Sequence, residues 1–304
     1  MHSANRIRIN DVAVRDGFQS EPRFVPTEQK ITLINRLSQT GLAKIEATSF
    51  VSPKAIPNLR DAVDVMAGIT RNPRVVYVAL VPNVKGAERA VLSGVDEINL
   101  VMSAGEQHNL ANMRMSCEQS LAQFREVVVA LQGSGIRING TVATAFGCPI
   151  GGDVPAANVL AAVNAYLAMG FDSITLADTT GMAFPKQVED LCRQVLALCR
   201  PQQLTLHFHN TRGMGLANVL VALAEGVTSF DGSLGGIGGC PFAPGATGNI
   251  CTEDMVHMLE LNGLRTGVDL DSLLDIARSL PDLLGHDIPG QVAKAGTRLQ
   301  VREV

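Results

Sequence analysis

The chain has 304 residues, 46% hydrophobic and 18% charged, with a net charge of −4 and six cysteines. That composition supplies a large core and excludes a disordered chain, and mild acidity without a basic block argues against nucleic acid or an anionic membrane as partner. No apolar run reaches spanning length, no secretory segment follows Met1-His2-Ser3, and no C-x-x-C pair occurs, so a cytoplasmic protein with mostly buried thiols is expected.

Strand-like and helix-like stretches alternate along almost the whole chain. The first strand is read at residues 7–14, broken by Arg15-Asp16-Gly17, and Thr27 caps a helix that stops at Gly41. Strands follow at 43–48, 74–81, 95–102, 136–143 and 172–177, with helices near 59–69 and up to Gly94, Gly133 and Gly170. A helix from Pro185 leads to the seventh strand, Leu204-Thr205-Leu206-His207-Phe208-His209, and a helix to Gly226 leads to the eighth, at 227–234. Eight strand–helix units imply a parallel sheet with right-handed crossovers, and their span fits a (β/α)8 TIM barrel. A doubly wound open sheet is the competitor, but no G-x-G-x-x-G follows the first strand. The expected organisation is one catalytic barrel domain over residues 1–304, with the barrel at about 7–266 and a helical tail at 267–304.

In such a barrel, chemistry gathers at the C-terminal ends of the strands. Arg15 and Asp16 end the first, Glu46 and Thr48 the second, Asp178 the sixth, and His207 and His209 the seventh. A strand turns alternate side chains to one face, so Thr205, His207 and His209 share a side. They are either metal ligands or core histidines satisfied by carbonyls. Asp178 before Thr179-Thr180-Gly181 is either catalytic or a turn cap, Glu46 either a site carboxylate or half of a buried ion pair, and Arg15-Asp16-Gly17 a site or a tight turn. The glycine-rich loop at 235–249 lacks the Lys-Ser/Thr of a phosphate loop and suits a flexible lid, on which Cys240 is poorly placed to be a core thiol. Asp16, His207, His209 and Asn249 form a donor set of one carboxylate, two imidazoles and one amide oxygen. Such a set suits Mg2+ or Mn2+ better than closed structural zinc. Arg15 beside it would stabilise a developing enolate oxygen.

Three stretches then carry a resemblance: Arg15-Asp16-Gly17-Phe18-Gln19-Ser20-Glu21, Ile45-Glu46-Ala47-Thr48-Ser49-Phe50-Val51-Ser52-Pro53-Lys54, and residues 235–249 followed by Thr252-Glu253-Asp254. They resemble the 3-hydroxy-3-methylglutaryl-CoA lyases of the DRE-TIM metallolyase superfamily, to which isopropylmalate and homocitrate synthases also belong, over about residues 7–266. The resemblance implies Asp16, His207, His209 and Asn249 as ligands of a divalent cation. It also implies Arg15 as the enolate-stabilising residue, Cys240 as a catalytic lid cysteine, and Glu46 and Asp178 as acids that orient bound groups. The implied reaction is a retro-Claisen cleavage of an acyl-CoA substrate to acetyl-CoA and acetoacetate by a homo-oligomer, dimer or tetramer. His207 and Asp16 are alternative bases. Asn210 and Arg212 depart from the family's Asp and Tyr, and Pro22-Arg23 from its Lys. Arg212 therefore raises the alternative of a methylmalyl- or citramalyl-type thioester. A condensing acyltransferase is a further alternative, although the tail is shorter than those synthases carry. A catalytically silent barrel with a binding or regulatory role is the remaining one.

Overall fold

The computed structural model describes residues 6–239, 248–298 and 300. Eight strands close into a barrel: β1 (Arg8–Asp11), β2 (Lys44–Ser49), β3 (Val76–Leu80), β4 (Glu97–Ser103), β5 (Arg137–Ala143), β6 (Ser173–Asp178), β7 (Leu204–Phe208) and β8 (Ser229–Gly232). All neighbours are parallel, and β8 pairs back onto β1 through Asn10↔Asp231 and Asp11↔Gly232. The open sheet is thereby excluded. Around the barrel run α1 (Thr27–Leu37), α2 (Ala62–Gly68), α3 (Val84–Leu92), α4 (Glu106–Met113), α5 (Cys117–Ala130), α6 (Ala156–Ala168), α7 (Pro185–Leu196), α8 (Gly215–Ala224) and α9 (Thr252–Leu261). Three short helices follow, α10 (Leu270–Ala277), α11 (Leu280–Leu284) and α12 (Val292–Ala295); α10 lies against α1 and α9. Among the described residues no helix is long and apolar enough to cross a membrane.

Strand alternation separates two environments. Ile9, Ile45, Tyr77, Ile98, Leu206 and Phe230 face the helices and are buried in one continuous apolar core. Inside the barrel, where branched apolar side chains usually fill the space, the inward positions carry Asn10, Glu46, Asn99, Asn139, Thr205 and Asp231 instead. These groups satisfy one another across strands. Asn139 Nδ2 donates to Asn99 Oδ1 at 3.0 Å and Thr141 Oγ1 donates to the same oxygen at 2.7 Å, which fixes the Asn99 amide so that its Nδ2 donates to Glu46 Oε1 at 3.2 Å. A polar interior of this kind is costly unless its hydrogen bonds are made. It leaves a water-accessible shaft rather than a packed plug.

Three expectations from the sequence need correction. The first strand ends at Asp11, not at residue 14, because the Asp11 carboxylate accepts the Ala13 N–H at 2.9 Å and the Thr252 hydroxyl at 2.6 Å and turns the chain. The next residues form a single π-helical turn, Ala13–Gly17. Such turns recur at functional sites because the wider winding redirects side chains. The eighth strand is likewise shorter than read, ending at Gly232, and a 3-10 turn follows at Leu234–Gly236. The helical region before Gly133 is two helices. Arg114 stops α4 in the left-handed region at φ 57°, and Ser116 with Gln119 forms a capping box that starts α5.

Candidate metal centre and reaction cavity

The π-helical turn places Arg15 and Asp16, consecutive in sequence, side by side over the mouth of the shaft. Arg15 donates through Nε to Glu46 Oε2 at 2.6 Å and through Nη1 to Asp16 Oδ1 at 2.6 Å. Glu46 reaches that position at a β-bulge, where the pairing of β2 with β3 slips between Glu46 and Thr48. Burial raises the Glu46 pKa despite Arg15. Burial acts on Asp16 in the same direction, but Arg15, His207 and His209 outweigh it and hold that carboxyl well below the usual range. Both readings of Glu46 are therefore geometrically true at once. It is half of a buried ion pair, and that pair lies in the cavity.

His207 stands on β7 and His209 just beyond it, with ring centroids 5.2 Å apart. Phe208 points outward between them into the core. Residues 248–250 run back along this strand end: Asn210 N–H donates to Gly248 O at 2.9 Å, Ile250 N–H to Phe208 O at 3.1 Å, and His209 and Asn249 form an antiparallel bridge. That pairing brings Asn249 against Asp16. Close approach needs glycine. A Cβ on Gly238 would lie 2.8 Å from Asn249 Nδ2, and one on Gly248, at φ 105°, would collide with the carbonyls of Gly236 and Gly238.

Ligand atoms of Asp16, His207 and His209 all lie within 4.8 Å of one another. Asn249 Nδ2 donates to Asp16 Oδ2 at 2.8 Å and to Ile237 O at 3.0 Å, which fixes the amide. Its Oδ1 is then buried without a hydrogen-bond partner among the described residues, as is His209 Nδ1. Orphaned buried acceptors are rare in proteins and point to a bound ion or water. An inward carboxylate, two imidazoles and a free amide oxygen fit a divalent cation with oxygen-rich ligation. His209 is pushed down to about 4 by burial and the neighbouring His207, so its ring is neutral and ligand-competent at physiological pH.

The shaft opens as a cavity of about 1330 Å3, lined among others by Arg15, Asp16, Glu46, Asn99, His207 and His209. Its lining also includes Lys54, Asn83 and Arg114. Two residues expected there are engaged with loop backbone. Asp178 Oδ1 accepts the N–H groups of Met182 at 2.7 Å and Ala183 at 3.1 Å and so caps the turn, its Oδ2 is buried without a hydrogen-bond partner among the described residues, and burial pushes the carboxyl up to about 6. Arg212, suspected of contacting substrate, donates to the carbonyls of Thr180 at 3.0 Å and Gly181 at 2.9 Å and pins two loops together. Asn210 accepts the Gly215 N–H at 3.1 Å near the start of α8, a task open to Asp or Asn alike. These departures from the family pattern leave the donor set untouched. Cys240 lies outside the described residues.

Sequence reading missed Asp231 and Asn10. Asp231 Oδ2 lies 3.3 Å from His207 Nδ1, and its Oδ1 accepts from Asn10 Nδ2 at 2.8 Å. The signal was present, since an acidic residue between Phe230 and Gly232 in a strand otherwise read as buried demands a partner.

The loop that carries Asn249 is anchored at its base by Glu253, fully buried, whose two oxygens accept the Gly235 N–H at 3.0 and 3.1 Å. Burial pushes this carboxyl up to about 8. A raised folded-state pKa means that the stabilisation is complete below the unfolded value and is lost as pH rises through the folded one. Asp11 and Asp178 are raised only to about 6, so they have largely titrated before neutrality. Thermal unfolding of the wild type is expected at lower temperature at about pH 9 than at about pH 7, and Glu253→Gln is expected to flatten that difference. An unchanged slope in the variant would remove Glu253 as its source.

A family model described as HMGL-like matches residues 6–280. The chain is 46% identical over 286 residues to a hydroxymethylglutaryl-CoA lyase of Bacillus subtilis (strain 168), covering 94% of this chain and 96% of that protein. It is 40% identical to the mitochondrial hydroxymethylglutaryl-CoA lyase of Homo sapiens, covering 97% of this chain and 90% of the human one. The solved structure of an HMG-CoA lyase from Acinetobacter baumannii, in complex with coenzyme A and 3-methylmalate, superposes with a TM-score of 0.97 at 55% identity and covers 100% of this chain and 99% of that one.

Proposed function

The chain belongs to the HMGL-like family, and from that premise we propose that it cleaves 3-hydroxy-3-methylglutaryl-CoA to acetyl-CoA and acetoacetate with Mg2+ or Mn2+ at Asp16, His207, His209 and Asn249. The observation that carries this reading is the unpartnered Asn249 Oδ1 beside the Asp16–His207–His209 cluster, with Arg15 at its edge.

A divalent cation held by Asp16, His207, His209 and Asn249 would supply Lewis acidity for the substrate's oxygens. The chain supplies the rest. A base takes the tertiary hydroxyl proton; Asp16 and His207 both lie in the cavity and are its candidates, His207 only through a nitrogen that holds neither the cation nor a proton. As the C2–C3 bond breaks, its electron pair moves to the thioester side and gives the acetyl-CoA enolate, while the hydroxyl-bearing carbon becomes the ketone of acetoacetate. Arg15 places fixed positive charge where that enolate oxygen develops, with its guanidinium oriented in advance by Glu46 and Asp16. Protonation of the enolate carbon completes acetyl-CoA, and Cys240 is proposed for handling that proton. Asp178 is assigned to holding the turn above β6 rather than to substrate. A cytoplasmic homo-oligomer acting in leucine catabolism completes the proposal.

Product analysis tests it. Mg2+-loaded protein incubated with 3-hydroxy-3-methylglutaryl-CoA is expected to yield acetyl-CoA and acetoacetate, and none after EDTA. Folded, metal-loaded protein that leaves the thioester intact would overturn the substrate assignment. The 3-methylmalate bound in the Acinetobacter baumannii enzyme favours one second reading, a methylmalyl-type thioester, and that is the next substrate to assay.

A further inference from the structure

We propose that Asp231 is a positioning residue for His207. It holds the imidazole in the tautomer that turns Nε2 toward Asp16, His209 and Asn249, and Asn10 fixes Asp231 in turn. This inference rests on the metal reading above.

The barrel register places the three residues in one row. Asn10 is paired laterally with Asp231 across β1 and β8, and His207 with Asp231 across β7 and β8. Strand spacing of about 4.8 Å therefore makes them side-by-side neighbours on the inner face. Asn10 Nδ2 donates to Asp231 Oδ1 at 2.8 Å and lies 3.4 Å from Ser229 Oγ, which also accepts from Thr205 Oγ1 at 3.0 Å. Asp231 is thus held from behind and presents Oδ2 to His207 Nδ1 at 3.3 Å.

A carboxylate only accepts, and a neutral imidazole has one donor and one acceptor nitrogen. The contact accordingly demands a hydrogen on Nδ1, which in the neutral ring leaves the lone pair on Nε2, the arrangement in which carboxylates orient metal-binding histidines. The two imidazoles differ in this respect. His209 Nδ1 has no hydrogen-bond partner among the described residues, and His209 Nε2 lies 3.9 Å from Asp16 Oδ2. His207 is the imidazole that is aimed from outside the donor set.

A purely structural role for Asp231, as one more polar group in the shaft, predicts that Asp231→Asn is milder than Asp231→Ala because Asn fills the space. Positioning predicts the reverse. In Asp231→Asn the side-chain oxygen accepts from Asn10, so the amide N–H2 meets His207 Nδ1 and selects the Nε2–H tautomer, which has no lone pair for a cation. Mn2+ titration of the purified full chain is expected to show affinity weakened by about 10–100-fold in Asp231→Asn and less in Asp231→Ala. The metal-free unfolding temperature of Asp231→Asn is expected to stay near that of the wild type. 15N NMR of metal-free protein at mildly alkaline pH is expected to report Nδ1–H for His207 in the wild type and Nε2–H in Asp231→Asn. Mn2+ affinity in Asp231→Asn within about twofold of wild type, or an unchanged tautomer, would overturn the proposal. Folded wild type that binds no Mn2+ would overturn the metal reading itself, a distinct result.

Discussion

Arg15→Gln is expected to lower kcat by about 10²–10³-fold, the cost of removing one preorganised donor from a developing oxyanion, while Mn2+ affinity and KM change little. Arg15 is charged at every working pH and buried, and both of its contacts are carboxylates. Its charge is therefore present before substrate arrives and, on the proposed mechanism, would matter most once negative charge grows on the thioester oxygen, so the loss is expected to fall on kcat. The variant also leaves Glu46 and Asp16 without the cation between them. Breaking a buried pair costs roughly 3–5 kcal/mol, so a lower unfolding temperature is expected alongside. Steady-state kinetics at saturating Mg2+, with a parallel Mn2+ titration, separates the two effects. Near-normal turnover in folded protein would end the enolate assignment.

His207→Ala and Asp16→Asn are expected to lose metal affinity and activity together, by more than the roughly 10–100-fold typical of groups outside a ligand set. Each removes one donor from a cluster whose atoms lie within 4.8 Å of one another. Asp16→Asn also removes the one carboxylate of the set, the charge that a hard cation most depends on. Titrating activity against added Mg2+ distinguishes a ligand from a base. A ligand variant regains turnover as the metal is raised, whereas the loss of a base persists at saturation. Full metal affinity with activity abolished, in either variant, would reassign that residue from ligand to proton acceptor.

The periodicity of the chain was enough for the architecture. Period-2 runs alternating with amphipathic helices at an even spacing admit few topologies, because parallel neighbours need right-handed crossovers. The His207-x-His209 alternation placed both rings inside the shaft for the same reason, since side chains on a strand change face at each step. Polar residues at strand ends marked the mouth of the barrel, and the motif resemblance pointed to the donor set there.

Other features depended on groups far apart in the chain. Asp178 and Arg212 looked equally polar and equally well placed in sequence, yet their partners are the N–H groups of Met182 and Ala183 and the carbonyls of Thr180 and Gly181. Which role a charged side chain takes depends on whichever backbone groups the loops leave unpaired, and loop geometry follows no period. Asp231 shows the converse. By sequence it is a lone acid in a strand, and only the lateral register of β7, β8 and β1 sets it between Asn10 and His207. By itself the sequence determined the barrel and the face on which chemistry gathers, because alternation and helical period are local properties. Only the tertiary structure decided which polar groups meet, because hydrogen-bond partners are chosen across strands separated by up to 221 residues.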